Sequence, residues 1–149
     1  MRESEERFRR VFEEGPLGVA LVGRDYRFLK VNGALCRMVG YSEAELTQMS
    51  FADITYPEDM VVNRGLAERM FRREIPGYWL QKAVREEDGD IIWISLTASV
   101  IRDAEGEPLY GLAMIVDITE SKRAEAEALA TAEAGEPRRA GRRHRPRFQ

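Results

Sequence analysis

The 149-residue chain has a formal net charge of -3 and 44% hydrophobic residues, a composition that suits one globular domain with a modest remainder. Its single cysteine, Cys36, excludes an intramolecular disulfide and any site with several cysteine ligands. No apolar run approaches the ~20 residues of a membrane span, and the N-terminus has no signal-peptide apolar core. We therefore expect a cytoplasmic protein with no membrane partner.

Charge is spread unevenly along the chain. Residues 135–149 contain six arginines and one acid, Glu136, whereas the rest is acidic overall. The tail has almost no apolar content, which predicts disorder. Its arginines could neutralise nucleic-acid phosphates, but with one aromatic residue, Phe148, and no recognition motif, nucleic acid is an unfavoured partner. The abrupt change in composition also fits a truncated or frameshifted end.

An amphipathic flanking helix is predicted within residues 1–14. Phe8, Val11 and Phe12 fall at i, i+3 and i+4 and form one narrow apolar stripe among charged residues. Gly15-Pro16 ends this helix, because proline disfavours helical geometry in the preceding residue. The stripe must cover an apolar surface, which is either the chain's own sheet or a second copy of the chain.

A hairpin and a capped helix follow. Residues 17–22 and 26–31 are short β-rich runs on either side of the turn signal Gly23-Arg24-Asp25. Asn32 has the position of an N-cap for the next helix. Gly40 then ends that helix in a left-handed conformation.

Two further helix starts are visible. Ser42 and Glu45 have the spacing of a capping box, so a short helix begins at Ser42. Pro57 followed by two carboxylates is typical of the first turn of a helix. We expect that second helix to end before Pro76-Gly77. Its apolar residues are Val61, Val62, Leu66, Met70 and Phe71.

Residues 79–120 are predicted to form a three-stranded antiparallel meander. The turn signals Asp88-Gly89 and residues 105–108 divide this stretch into three extended segments. The middle segment alternates with a period of two, so one set of residues should face the core. That set is Ile92, Ile94, Leu96, Ala98 and Val100.

Two strands, several short helices and three strands predict an α+β fold, in which a five-stranded antiparallel sheet carries the helices on one face. N- and C-terminal helices flank this domain. The C-terminal helix is expected over residues 120–134, with Thr119 as its N-cap.

The ordered motifs of residues 3–120 resemble a PAS domain. They are V-N-x-A at 31–34, G-Y-S-x-x-E-L at 40–46, E-D-G-D at 87–90, I-W-I at 92–94, R-D-x-x-G-x-P at 102–108 and D-I-T at 117–119. The last four match the C-terminal part of such domains, called the PAC or S-box region. The resemblance implies a sensory domain over residues 15–119, of the kind found in sensor kinases. It also implies that the early hairpin lies beside the last strand.

The residues give no support for an enzyme. The only histidine, His144, lies in the arginine-rich tail, so neither a catalytic triad nor a histidine-based metal site can be assembled. No glycine-rich phosphate loop is present. The carboxylates of Glu86, Glu87, Asp88 and Asp90 fall on a predicted hairpin tip, where solvated charge explains them. We predict a non-enzymatic chain without a metal site.

The resemblance implies a cavity between sheet and helices, where similar domains hold haem, flavin or small metabolites. The candidate lining is Leu80, Lys82, Val84, Ile92, Ile94, Leu96, Ala113 and Ile115. These residues could equally form a closed core without a ligand. Lys82 is the exception in this set. Either its stem is buried and its ammonium reaches the rim, or it meets an acidic ligand.

Two cofactors common in the family are disfavoured. Haem-binding PAS domains usually ligate iron through a histidine on a cavity helix, and residues 58–74 contain none. Light-sensing LOV domains need a reactive cysteine, where this chain has Val62-Asn63-Arg64-Gly65. They also carry amide side chains at the positions of Val84, Ile94 and Ile115. The alternatives that remain are a small, mostly apolar metabolite, no ligand, or a non-covalent flavin held differently, for which Trp79 is the candidate aromatic residue.

The outer face of the sheet is expected to be covered. The last strand is apolar on both faces, and Trp93 lies on the outer side of its neighbour, whereas a sheet with one wet face should alternate. We predict a homodimer contact made by Phe8, Val11, Phe12, Trp93 and Met114.

The end of the last strand is the expected signalling junction. In the family Asp117 would fix the strand end and Thr119 would cap the outgoing helix. The prediction is a sensory and dimerisation module that signals through its C-terminal helix to an effector on another chain, such as a kinase, cyclase or regulator. The alternatives are a ligand-free structural dimerisation module and a nucleic-acid-binding protein that acts through the tail.

Overall fold

Alternation along the longest strand determines which face of the sheet is buried. The computed structural model describes residues 2–135, except for the side chains at positions 2–4, 8, 11 and 135. In β4 (Ile91–Arg102) the side chains of Ile92, Ile94, Leu96 and Ala98 are buried, while their neighbours are at least partly exposed. The period-two prediction is confirmed for these four residues, which face the core, whereas Val100 of the predicted set is only partly buried. The arginine-rich tail, residues 136–149, lies outside the described part.

Five strands and six helices are described. The strands are β1 (Gly18–Val22), β2 (Phe28–Val31), β3 (Gly77–Arg85), β4 and β5 (Pro108–Asp117). The helices are α1 (Arg2–Glu14), α2 (Gly33–Val39), α3 (Glu43–Leu46), α4 (Phe51–Ile54), α5 (Pro57–Phe71) and α6 (Thr119–Gly135).

The strands form one antiparallel sheet in the order β2-β1-β5-β4-β3. Ala113 of β5 is the register partner of Ala20 in β1 and of Ala98 in β4, so the early hairpin lies beside the last strand. The predicted α+β fold is confirmed. The edge position of β3 matters most for the site described below.

A single buried amide joins three elements near the start of the domain. Asn32 caps α2 by accepting the N–H of Leu35 at 3.1 Å, and its Oδ1 also accepts the N–H of Val19 at 2.9 Å. Its Nδ2 donates to the carbonyls of Leu17 at 2.8 Å and Phe12 at 2.5 Å. Because α1, β1 and α2 all use this side chain, it holds the end of α1 against the domain.

Local helix signals are largely confirmed. Gly40 ends α2 with a φ of 80°, in the left-handed region. Ser42 and Glu45 form the capping box of α3. A second capping box, between Ser50 and Asp53, starts α4, a helix that is absent from the predicted elements.

The buried face of α5 differs from the apolar residues that the sequence offers. Val61 and Val62 are 80% and 57% exposed, whereas Asn63 and Ala67 are buried, together with Met70 and Phe71. The spacing 63, 67, 70 is one helical stripe. The helix also ends at Phe71, five residues before Pro76.

The last helix is described by itself. α6 belongs to a separate compact unit that starts at Thr119. Thr119, the predicted N-cap, is the first residue of this helix. None of the described helices is both long and apolar enough to cross a membrane.

Candidate ligand cavity

A cavity of about 50 Å³ lies between the sheet and the helices. Residues from β1 to β5 and from α2, α4 and α5 line it, and nearly all of them are apolar. This space can hold several water molecules or a small organic molecule.

Six of the eight predicted lining residues reach the cavity. They are Lys82, Val84, Ile94, Leu96, Ala113 and Ile115. Ile92 is buried in the core, and Leu80 is partly buried against it, but neither is among the lining residues. The helical side of the wall was not predicted. It includes Phe51, Ile54, Asn63, Ala67, Met70 and Phe71.

Lys82 is buried because the open edge of β3 is covered. The N–H of Tyr56 donates to the carbonyl of Ala83 at 2.9 Å, and Thr55 forms an isolated bridge with Val84. The N–H of Ala83 in turn donates to Oδ2 of Asp59 at 2.8 Å. The segment between α4 and α5 therefore closes the edge strand beside Lys82.

The ammonium of Lys82 does not reach solvent, which contradicts the rim location considered from the sequence. The residue is 4% exposed, and Nζ donates to Oγ1 of Thr55 at 2.8 Å. Nζ also lies 5.2 Å from the ring centroid of Phe51, a cation–π distance. Burial lowers the pKa of Lys82 to about 7, although the charge of nearby Asp59 acts in the opposite direction.

Asn63 is the second buried polar group of the wall. It is 1% exposed, and its Oδ1 has no hydrogen-bond partner among the described residues. An unsatisfied buried carbonyl oxygen costs on the order of 1–3 kcal/mol. The side chain of Asn63 therefore either lowers the stability of the domain or accepts a hydrogen bond from a molecule in the cavity.

Tyr78 supplies the remaining polar side chain of the wall. Burial, with a smaller contribution from Tyr26, raises the pKa of Tyr78 to about 12. Its phenol is therefore neutral under ordinary conditions.

The outer face of the sheet keeps large apolar groups exposed. Trp79 is 61% and Trp93 is 39% exposed, and Val116 is also exposed. Met114 and Phe12 of the predicted dimer contact are half-buried. The side chains of Phe8 and Val11, also in that prediction, lie outside the described part. The outer face within the described residues is thus only partly covered.

Carboxylates also gather at the β3–β4 turn. Glu86, Asp88 and Asp90 have ligand oxygens within 4.8 Å of one another. Asp88 and Asp90 are exposed, and Oδ1 of Asp88 accepts the N–H of Asp90 at 3.0 Å. This arrangement is that of an acidic hairpin turn in solvent.

The junction residues occupy the end of the sheet. Asp117 is the last residue of β5 and is the register partner of Ile94. The N–H of Ile118 donates to the carbonyl of Trp93 at 2.8 Å, which fixes the chain just before α6 begins at Thr119.

A comparison with protein families identifies the family to which this fold belongs. A family model described as the PAS fold matches residues 12–123. The chain belongs to the PAS family.

This PAS domain has relatives among signalling proteins. It is 40% identical over 123 residues to the probable diguanylate cyclase DgcE of Escherichia coli, and 30% identical over 122 residues to the sensor histidine kinase TmoS of Ectopseudomonas mendocina. These matches cover 83% and 82% of this chain but only 11% and 12% of the two relatives. The chain thus spans about a tenth of either protein.

Solved structures agree on the PAS fold. The PAS domain of a protein from Colwellia psychrerythraea is similar with a TM-score of 0.72 at 14% identity. The match covers 78% of this chain and 98% of that domain.

We predict that Lys82→Met changes how the stability of the PAS domain depends on pH. Lys82 has its pKa lowered from 10.5 to about 7 by folding, so the unfolded chain binds more protons between these values. The free energy of unfolding of the wild type should therefore rise with pH between them, with no contribution to the slope below pH 7. Lys82→Met should be more stable than the wild type at about pH 6, and the gap should narrow towards pH 10.

Urea unfolding at several pH values measures this difference. Lys30→Met is the control, because Lys30 is exposed and is not among the lining residues, so the variant removes a lysine without changing the cavity. Parallel curves for the wild type and Lys82→Met over the whole range would contradict the buried ammonium.

Proposed function

We propose that this PAS domain is a sensory module whose cavity binds a small organic ligand. The observation that carries the proposal is the cavity wall, where buried Lys82 and Oδ1 of Asn63, which has no hydrogen-bond partner in the described part of the chain, interrupt an apolar lining. A closed core without a ligand gains nothing from these two groups, because each costs stability. Their presence therefore favours a binding site over a purely structural core.

The domain's relatives indicate where its signal would go. The names of DgcE and TmoS describe a probable diguanylate cyclase and a sensor histidine kinase. We propose that this domain controls an effector of such a kind, a cyclase, kinase or regulator, in the cytoplasm. The domain itself contributes sensing and no catalysis.

We propose a small ligand rather than haem or a LOV-type flavin. A cavity of about 50 Å³ is far smaller than the ~300–1,000 Å³ of typical ligand clefts. The wall residues Val84, Ile94 and Ile115 offer no hydrogen bonds to a flavin ring, and α5 offers no histidine to a haem iron.

Native mass spectrometry of the purified chain, beside its ultraviolet-visible spectrum, tests ligand binding. We expect a mass excess of small-molecule size and no visible absorption band. Lys82→Met should lose the excess mass, while Lys30→Met should keep it. A bare polypeptide mass in the wild type and both variants would count against the sensory function, and a visible band would show a chromophore instead.

We also propose that the domain forms a homodimer through the outer face of its sheet and α1. Trp79, Trp93 and Val116 leave an apolar surface exposed there, and such surfaces commonly mark protein contacts. The bond between Asn32 and the carbonyl of Phe12 anchors the end of α1 to the domain. The end of α1 is therefore held on the same domain as the exposed outer face of the sheet.

Phe12→Asp tests the homodimer. A buried carboxylate at the contact should cost several kcal/mol, so the variant should sediment as a monomer at concentrations where the wild type is a dimer. Val61→Asp is the matched control, because Val61 is exposed on α5 and should not affect association. Trp93→Glu should repeat the effect from the sheet side. Unchanged sedimentation of both interface variants would refute this contact.

We propose that the junction of β5 and α6 passes the signal on. Asp117 ends the strand whose residues Ala113 and Ile115 line the cavity, and only Ile118 separates it from α6. A change in the cavity can therefore reach the start of α6 along one continuous strand.

Asp117→Ala should loosen α6 without unfolding the domain. We expect faster tryptic cleavage at Lys122 and Arg123, with the thermal midpoint of the domain little changed. Asp90→Ala, at an exposed hairpin position, is the control and should leave cleavage as in the wild type. Equal cleavage rates in all three proteins would argue against a role for Asp117 in holding the helix.

A further inference from the structure

The polar side chains of the cavity wall indicate the chemistry of the ligand as well as its size. Of the side chains that line it, those of Asn63, Tyr78 and Lys82 carry nitrogen or oxygen, and the rest are apolar or lack polar atoms. Polar groups that are few and fixed orient a ligand within an apolar pocket. The hydrogen bonds that Asn63 and Lys82 lack among the described residues therefore indicate what the ligand must supply.

Lys82 lacks a counter-ion. An ammonium group has three N–H donors, and the acceptor that the structure gives it is Oγ1 of Thr55. No carboxylate of the described residues lies within ion-pair distance of Nζ. Asp59 is the charged residue that acts on the pKa of Lys82, and its Oδ2 accepts the N–H of Ala83. An anionic group from a ligand would stabilise the buried ammonium of Lys82.

Asn63 lacks a donor. Its Oδ1 is buried on the cavity side of α5 and has no hydrogen-bond partner among the described residues. A carboxylate cannot fill this role, since an ionised carboxylate only accepts hydrogen bonds. The ligand must therefore carry an O–H or N–H group in addition to its anionic group.

We infer that the cavity recognises a small monocarboxylate that carries a hydrogen-bond donor, as a hydroxy acid does, on a short apolar body. Its carboxylate accepts hydrogen bonds from Nζ of Lys82, its hydroxyl donates to Oδ1 of Asn63, and its alkyl part packs against residues such as Leu96 and Ile115. This inference rests on the proposed sensory function and names the class of molecule that the site takes. One charge, one donor and a few carbons also match the small volume of the cavity.

Three probes of similar size separate the contribution of the carboxylate from that of the hydroxyl. They are 2-hydroxybutyrate, butyrate and butyramide, the last of which replaces the carboxylate by a neutral amide. Isothermal titration calorimetry on the full chain should rank 2-hydroxybutyrate above butyrate and butyrate above butyramide. We expect roughly tenfold or more between butyrate and butyramide, from the charge-assisted bond, and roughly threefold or more for the added hydroxyl.

Two variants assign each preference to a residue. Lys82→Met should remove the preference for butyrate over butyramide, and Asn63→Leu should remove the preference for 2-hydroxybutyrate over butyrate. Both replacements put an apolar side chain into an apolar wall, so both variants should fold. Lys30→Met should behave like the wild type.

Some of the outcomes that overturn the inference need only the wild type, and one needs the two variants. Equal affinities for butyrate and butyramide, or no binding of any probe up to about 10 mM, would exclude acid recognition at this site. A co-purified neutral molecule in the native mass spectrum, together with no carboxylate binding, would overturn this inference and leave the sensory function standing. Preferences that persist in both variants would place carboxylate binding outside the cavity and would also overturn it.

Discussion

The contact between Nζ of Lys82 and Oγ1 of Thr55 is the interaction on which the site depends. It joins the edge strand β3 to the segment between α4 and α5, and the N–H of Tyr56 completes that closure on the carbonyl of Ala83. Edge strands left open invite pairing with other chains, so covering β3 protects the sheet. The same closure places a cation in the interior, where it loses hydration. The fold thus creates a charged group beside its own cavity.

The polar groups of the cavity wall that would favour ligand binding lower the stability of the ligand-free domain. Within residues 2–135, the buried Lys82 has no carboxylate at ion-pair distance and Oδ1 of Asn63 has no donor, and each lowers the stability of the free domain. A ligand that satisfies both would stabilise the closed arrangement of α5, the Thr55–Tyr56 segment and β3. A sensor needs such a difference between its free and bound states, because a ligand shifts an equilibrium only by its differential affinity.

Much of the fold could be predicted because its signals are local. The alternation in β4, the turns at Gly89 and Gly106 and the capping box at Ser42 each depend on residues close in sequence. The site was harder to predict because its features are tertiary. Val61 and Val62 are the more apolar residues, yet α5 buries Asn63, since the orientation of the helix is set by packing against the sheet. The strand parity of Lys82 indicated the cavity, but its burial depends on a segment 27 residues away.

The protonation of Lys82 tests this account most directly. The chain has only three lysines, Lys30, Lys82 and Lys122, so the ε-carbon signals of a ¹³C-lysine-labelled sample can be followed individually by NMR as the pH changes. We predict that one lysine titrates near pH 7 and that Lys82→Met removes this signal. A wild-type protein in which no lysine titrates near pH 7 would contradict a dehydrated ammonium beside the cavity.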